Sequence, residues 1–205
     1  MIILAIDSCG SSCGACVWQD GLVLARAQEP MERGQDTRLM PMVMDVMARS
    51  GAEFSNLDKV AVTRGPGSFT GVRVGLAAAQ GLGLASGKPV IGLDRFSLCR
   101  TLHRDGDLLV VIASKRAELF CRFFPSHDAA HEACLMTQQE IDAFVLSNPG
   151  AAIAGDVATP NDDVLAAAAT HASTADARDP DFLPRPLYLR APDVTFPSAS
   201  LSKPR

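Results

Sequence analysis

The segment Val62-Thr-Arg-Gly-Pro-Gly-Ser-Phe-Thr-Gly71, with the helix pattern behind it, constrains the fold more than any other part of the chain. Val60-Ala61-Val62 enters it as a buried strand. Gly65-Pro66-Gly67 then turns the chain sharply, because glycine reaches backbone angles closed to other residues and proline presets its own φ. Ser68 or Thr70 caps the following helix by accepting a bond from a first-turn amide. From Gly71 to Gly87 small or apolar residues lie on almost every side. Such a helix needs cover all round, while a helix start at a glycine turn offers amides to an anion. Packing and anion binding are therefore both open uses. A Walker phosphate loop is not, since no Lys-Ser or Lys-Thr follows Gly71 and Pro66 removes one amide donor.

Around this motif the patterning predicts strands over residues 2–7, 13–18 and 22–28, the last two joined by Asp20-Gly21, a strong hairpin signal. A helix over 37–50 follows, with Pro41 in its first turn and Gly51 ending it. Strand 58–63, helix 70–86, strand 90–93 and a short helix over 94–103 complete a βββαβαβα order. Strands over 108–112, 118–124 and 133–136, a helix over 137–146, a strand over 151–154 and an alanine-rich helix near 162–169 repeat that order in shorter form. The expected units are residues 1–102, a reduced second unit over 103–190, and an extended tail over 191–205. Within the proline-rich end, Tyr188-Leu189-Arg190 is the segment expected to dock.

The 205 residues allow one large domain or two small lobes, with a core of useful size. A formal net charge of −4 gives no basis for direct, high-affinity nucleic-acid binding. No apolar run approaches membrane-spanning length, so no membrane contact is expected. The start lacks a signal peptide's basic segment and cleavage site, and a cytoplasmic location with reduced thiols is the expectation. Cys13-Gly-Ala-Cys16 lies in a predicted strand, where odd spacing sends the two sulfurs to opposite faces. Core cysteines are the better reading.

Few residues carry chemistry. His127 and His131 have the spacing of a helical zinc motif, but they follow Pro125-Ser126 in a polar patch between strands and read as a solvated turn. No Gly-x-Ser-x-Gly elbow appears, and a capping role suits Ser68 better than a nucleophilic one. Asp7 at the end of the first strand and Ser11 beyond it are candidates for a weak nucleotide or anion contact, together with Gly65 and Gly67. Asp7 is equally suited to capping its own turn.

A βββαβα unit used twice resembles the two-lobed actin-like ATPase (ribonuclease H-like) fold. Within it, Ile6-Asp7-Ser8, the Gly65–Gly71 turn, Val72-Arg73-Val74-Gly75 and Tyr188-Leu189-Arg190 resemble the TsaB (YeaZ) family. That resemblance implies a non-catalytic scaffold in the machinery that adds threonylcarbamoyl to adenosine 37 of tRNAs reading ANN codons. It implies partnership with a larger, catalytic TsaD-like paralogue and a TsaE-like ATPase, a homodimer when alone, and tRNA contact only through the complex. No cofactor of its own is implied; ATP with magnesium would bind weakly or within the assembly. The catalytic paralogue carries two metal-binding histidines where Arg95-Phe-Ser-Leu-Cys99 stands here, and arginine cannot ligate a cation. Ala113 stands where the family usually has Asp, and Gln35 where many relatives have His. The rival reading is a degenerate small-molecule kinase or ATPase using Asp7 and the glycine turn.

Surplus apolar helix surface points to a partner. Leu39, Met42, Val43, Val46 and Met47 form one stripe, and Met40 and Met44 extend it to a second face. Gly71, Gly75, Ala79, Gly83 and Gly87 recur every four residues and make a ridge without side chains, open to another helix. The expected partner interface is Leu39, Met40, Met42, Val43, Met44, Met47, Gly71, Val72, Gly75, Ala79, Leu82 and Gly83.

Overall fold

Strand β1 (Ile2–Asp7) is the axis of the first lobe. In the computed structural model, which describes residues 1–103, 105–156 and 163–190, it pairs antiparallel with β2 (Ser12–Gln19) and parallel with β4 (Lys59–Thr63). Strand β3 (Leu22–Pro30) and β5 (Val90–Leu93) flank these, giving the order β3-β2-β1-β4-β5. Asp20 and Gly21 both take positive φ between β2 and β3, which matches the twist of a tight hairpin. Successive β1 residues face opposite sides, and both sides are buried. Leu4 and Ile6 meet α1 (Gln35–Ser50) and α2 (Phe69–Ser86), while Ile3 and Ala5 meet Leu98 of α3 (Arg95–Leu102) and Leu165, Ala168 and Ala169 of α5 (Val164–Thr174).

The second sheet repeats the order without a fifth strand: β8-β7-β6-β9, from Cys134–Met136, Leu119–Phe124, Leu108–Ile112 and Ala152–Ala154. Helix α4 (Gln138–Ser147) covers one side through Ile141, and Phe96 and Cys99 of α3 lie in the core on the other. This is the reduced, two-lobed actin-like architecture the resemblance implies. No helix among the described residues is long and apolar enough to cross a membrane.

Two local outcomes differ from the sequence reading. Helix α1 starts at Gln35, so Pro41 lies beyond the first turn, and buried Gln35 donates from Nε2 to the Met31 carbonyl at 3.3 Å. Helix α5, grouped by chain position with the second unit, lies on the first sheet. Its alanines allow close approach, and Lys59 Nζ ties down its end by donating to the carbonyls of Ala172 (2.8 Å) and Ala175 (2.8 Å). Residues 191–205 and Asp162 lie outside the described residues. Cys13 and Cys16 do fall on opposite sides of the sheet, and burial pushes their thiols up to about 11 and about 12.

The glycine ridge faces inward. A Cβ on Gly71 would stand 2.0 Å from the Ser8 carbonyl oxygen, and one on Gly75 would stand 2.6 Å from Ser8 Oγ. A Cβ on Gly83 would stand 2.4 Å from a Val90 methyl. The ridge is thus where α2 seats on its own sheet, which corrects the expectation that it receives a partner helix. Leu39, Met42, Val43, Met47, Val72 and Ala79 are buried in the same lobe core. Side-chain spacing alone did not reveal which α2 face meets the sheet.

Gly71→Ala is expected to destabilise by more than about 2 kcal/mol, because backbone on both sides must move. Gly81→Ala, where nothing lies within 4 Å of a new Cβ, is expected to stabilise by up to about 1 kcal/mol. Urea unfolding of the two variants checks the opposite signs. His171 on α5 packs edge-on to Phe182, and desolvation lowers its pKa although Asp94 opposes this. Its folded value lies below its unfolded value, so its share of stability is complete above about pH 6.5 and is lost as pH falls through the lower folded value. Thermal unfolding between pH 7 and 5 is expected to show this loss, and His171→Gln to flatten it.

Candidate functional site

Two turns interlock where the sheet of the first lobe ends. The turn after β1 presents the Cys9 carbonyl, which accepts from the Ser68 amide at 2.7 Å. Gly67 makes this possible, since a Cβ there would stand 2.1 Å from that oxygen. Ser68 Oγ accepts from the Gly71 amide at 3.3 Å, the cap expected from sequence, and Ser8 Oγ donates to the Gly71 carbonyl at 2.8 Å. Gly65 has φ 105° and lies under the Leu187 carbonyl oxygen, 2.9 Å from where its Cβ would be. The Leu187 amide donates to the Arg64 carbonyl at 2.8 Å, so the segment leading to Tyr188 docks on the glycine turn. The Ser68 and Gly71 amides that favour anion binding at a helix start are engaged within the chain.

Asp7 is 3% exposed. Its Oδ1 accepts from the Cys9 amide at 3.1 Å and from Thr63 Oγ1, which is a capping geometry for its own turn. Burial, reinforced by Asp7, pushes the Cys9 thiol up to about 12, so it stays protonated. Ser11 is exposed beyond this turn, and its carbonyl accepts from the Met31 amide at 2.8 Å.

Arg95 spans the cleft between the lobes. It opens α3, whose start is capped by Asp94 accepting from the Ser97 amide at 2.9 Å. Its guanidinium donates through Nη2 to Asp156 Oδ1 at 2.6 Å and through Nη1 to Asp156 Oδ2 at 3.1 Å. Asp156 follows β9 in the second lobe and also accepts from the Ala113 amide at 3.2 Å. Burial pulls the Arg95 pKa down, but Asp156 and Asp7 more than offset it, and the group stays charged. These residues do not fit a magnesium nucleotide. The Asp7 and Asp156 carboxylates are engaged within the chain, arginine cannot ligate a cation, and Ala113 offers only its amide. Among the described residues no group of three His, Cys, Asp or Glu gathers as for a metal; His127 and His131 are exposed, and the His131 ring packs edge-on to Phe123.

The other candidate surface is the outer side of α1 and α2. Of the twelve interface residues expected from sequence, Met40 and Met44 point outward and Leu82 is half-buried; the other nine are core. The expected interface leaves out the outward set of α2, namely Ala77, Gly81 and the 88% exposed Leu84. The phase set by Leu76, Ala79 and Gly83 on the sheet side is the signal that identifies it. At the head of α2, the exposed Phe69 and Tyr188 rings lie 5.2 Å apart. Arg73 stands 3.9 Å over Phe69 and donates from Nε to Tyr188 Oη at 3.0 Å.

A family model described as TsaD, tRNA N6-adenosine threonylcarbamoyltransferase, matches residues 29–123. The chain is similar to the tRNA threonylcarbamoyladenosine biosynthesis protein TsaB of Escherichia coli K12, at 44% identity over 93 residues, 45% of this chain and 40% of that protein. It is similar to the protein of the same name from Haemophilus influenzae at 31% identity over 124 residues, 58% of this chain and 52% of that protein. The chain thus spans about half the length of the curated relatives it matches. Among solved structures, YeaZ from Pseudomonas aeruginosa shares the fold with a TM-score of 0.70 at 22% identity, over 92% of this chain and 99% of that one. The chain is thus similar in sequence to TsaB proteins over about half its length, and it shares the YeaZ fold over 92% of it.

Proposed function

We propose that this chain serves tRNA threonylcarbamoyladenosine formation as a non-catalytic subunit, docking a TsaD-like paralogue on the outer sides of α1 and α2. The observation that carries this reading is a contrast between two places. The cleft holds an arginine locked to an aspartate, a protonated thiol and a turn-capping carboxylate, none of them poised for proton transfer or metal binding. The adjacent helices leave Met40, Met44 and Leu84 in solvent. Methionine adapts to irregular partners, and three large apolar side chains outside are what a docking surface requires. The names of the relatives supply the pathway. In this reading the chain needs no nucleotide of its own, a TsaE-like ATPase joins the assembly, tRNA is met only through the complex, and the isolated chain self-associates through the same helices.

Deleting the gene in its host is expected to lower threonylcarbamoyladenosine in bulk tRNA, measured by mass spectrometry of digested nucleosides. Unchanged levels would sink the proposal. Met44→Glu combined with Leu84→Glu is expected to cut co-purification of the TsaD-like paralogue at least tenfold. The unfolding midpoint should barely move, because exposed substitutions usually cost under about 0.5 kcal/mol. Turnover of magnesium ATP by the isolated chain, abolished in Asp7→Ala, would instead support the kinase reading.

A further inference from the structure

Two cysteines face each other at the edge of the second sheet. Strand β8 pairs antiparallel with β7 in a register that sets Cys121 directly opposite Cys134. Cys121 lies with Leu109, Val111 and Ile141 on the side of the sheet that α4 covers, where Leu119 and the Met136 opposite it also pack. Cys134 stands two residues before Met136 in β8, so its side chain projects to that same side. Opposite residues of an antiparallel pair have Cα atoms about 4.5 or about 5.5 Å apart. Both separations fall within the range of roughly 4.4 to 6.8 Å that a disulfide spans. The chain between the two strands is tied down in a way that keeps this register. Asp107 Oδ1 accepts from the amide and the hydroxyl of Ser126, both at 2.7 Å. The His131 amide donates to the Phe123 carbonyl at 2.9 Å, and Arg122 Nε donates to the His131 carbonyl at 2.9 Å. Cys13 and Cys16 are far nearer in sequence, yet their sheet holds them on opposite sides.

We propose that Cys121 and Cys134 are a reversible modification site: a low-molecular-weight disulfide oxidises them to a cross-strand disulfide that fastens edge strand β8 to β7. Exposure sets the order of events. Cys121 is fully buried, whereas Cys134 is exposed. The Cys134 thiolate attacks one sulfur of the small disulfide and expels the other half as a thiolate, which leaves a mixed disulfide on Cys134. The Cys121 sulfur, having lost its proton, then attacks the Cys134 sulfur and expels the second half. Two protein thiols are thereby oxidised and one small disulfide is reduced to two thiols, which take up the two protons the protein loses. Burial, reinforced by Cys134 and Glu140, pushes the Cys121 thiol up to about 12, and burial with Glu140 raises that of Cys134. Both therefore wait as thiols and the exchange is slow, while its equilibrium is set by how closely the register holds the two sulfurs. The bond closes residues 122–133 into a loop and stops β8 from peeling off an edge that has no further strand beyond it. The proposal is independent of what the outer helices bind.

The test is equilibration of the full chain in glutathione buffers of rising disulfide content, followed by alkylation of free thiols and mass spectrometry of unreduced peptides. Wild type is expected to lose two hydrogens, to yield a peptide joined between 121 and 134, and to revert in dithiothreitol. Cys134→Ser is expected to form no intrachain disulfide, and Cys121→Ala to stop at glutathione on Cys134. Oxidation of wild type should slow protease cleavage within residues 125–133 at least tenfold, and that of Cys134→Ser should leave it unchanged. Wild type that carries only glutathione on Cys134, or whose two thiols stay free in excess glutathione disulfide, overturns the proposal. A 121–134 bond that forms only after urea unfolding overturns it as well, since the folded register would then not bring the sulfurs together. If Cys121→Ala does not fold, Cys134→Ser decides: an intrachain disulfide still formed in that variant overturns the assignment, and its loss supports it.

Discussion

The carbonyl oxygen of Ser8 stands where residue 71 would carry a Cβ, and the geometry of the first lobe depends on that close approach. Backbone meets backbone there because Gly67 and Gly71 carry no side chain, and Gly75 leaves room for the Ser8 hydroxyl. Glycine inside a helix costs on the order of 1 kcal/mol relative to alanine. Seating α2 this deeply offsets that cost through burial of Val72, Leu76 and Ala79 against Leu4, Ile6 and Val62. It also sets the rotation of α2 about its axis. Once Gly71, Gly75 and Gly83 face the sheet, Ala77, Gly81 and Leu84 must face away.

The second lobe depends on the first in the same physical terms. Its sheet has four strands where the first has five, and the helix that follows β9 packs on the other sheet rather than on its own. Helix α3 contributes Leu98 to one core and Phe96 and Cys99 to the other, so a single helix is shared. The lobes are therefore joined by apolar burial along α3, by the return of α5, and by the charge contact of Arg95 with Asp156. Removing that contact leaves a nearly buried guanidinium and a half-buried carboxylate without each other, which is costly where water is scarce.

Much of this was legible in sequence because the signals were local. Asp20-Gly21 encodes a hairpin, Gly51 a helix end, Ser68 a cap, and the βββαβα order follows from period and punctuation. What escaped reading was relational. The four-residue glycine spacing identifies a ridge but not what it meets, and a sheet and a partner helix impose the same demand for small residues. The destination of α5 depends on a sheet face built by β1, β2, β4 and β5 of the other lobe, which no window of sequence contains. Arg95 and Asp156 are 61 residues apart, and the pairing of one arginine with one aspartate has no periodic trace. At Asp7 the residue was found and both of its uses were kept open; the amide of Cys9 and the hydroxyl of Thr63 fill the carboxylate's capping role.

The two kinds of glycine in α2 argue for a division of labour along one helix. Gly71, Gly75 and Gly83 each touch atoms that a side chain would displace, so the lobe itself explains them. Gly81 touches nothing within 4 Å and sits on the outer side, three residues before the 88% exposed Leu84. The fold gains nothing from a glycine there and loses helix stability to it. A smooth position beside a projecting leucine is what close approach of another helix backbone requires, since small residues set how near two helices come. The inner glycines thus serve the chain's own core, and the outer one lies on the face proposed above for docking a partner.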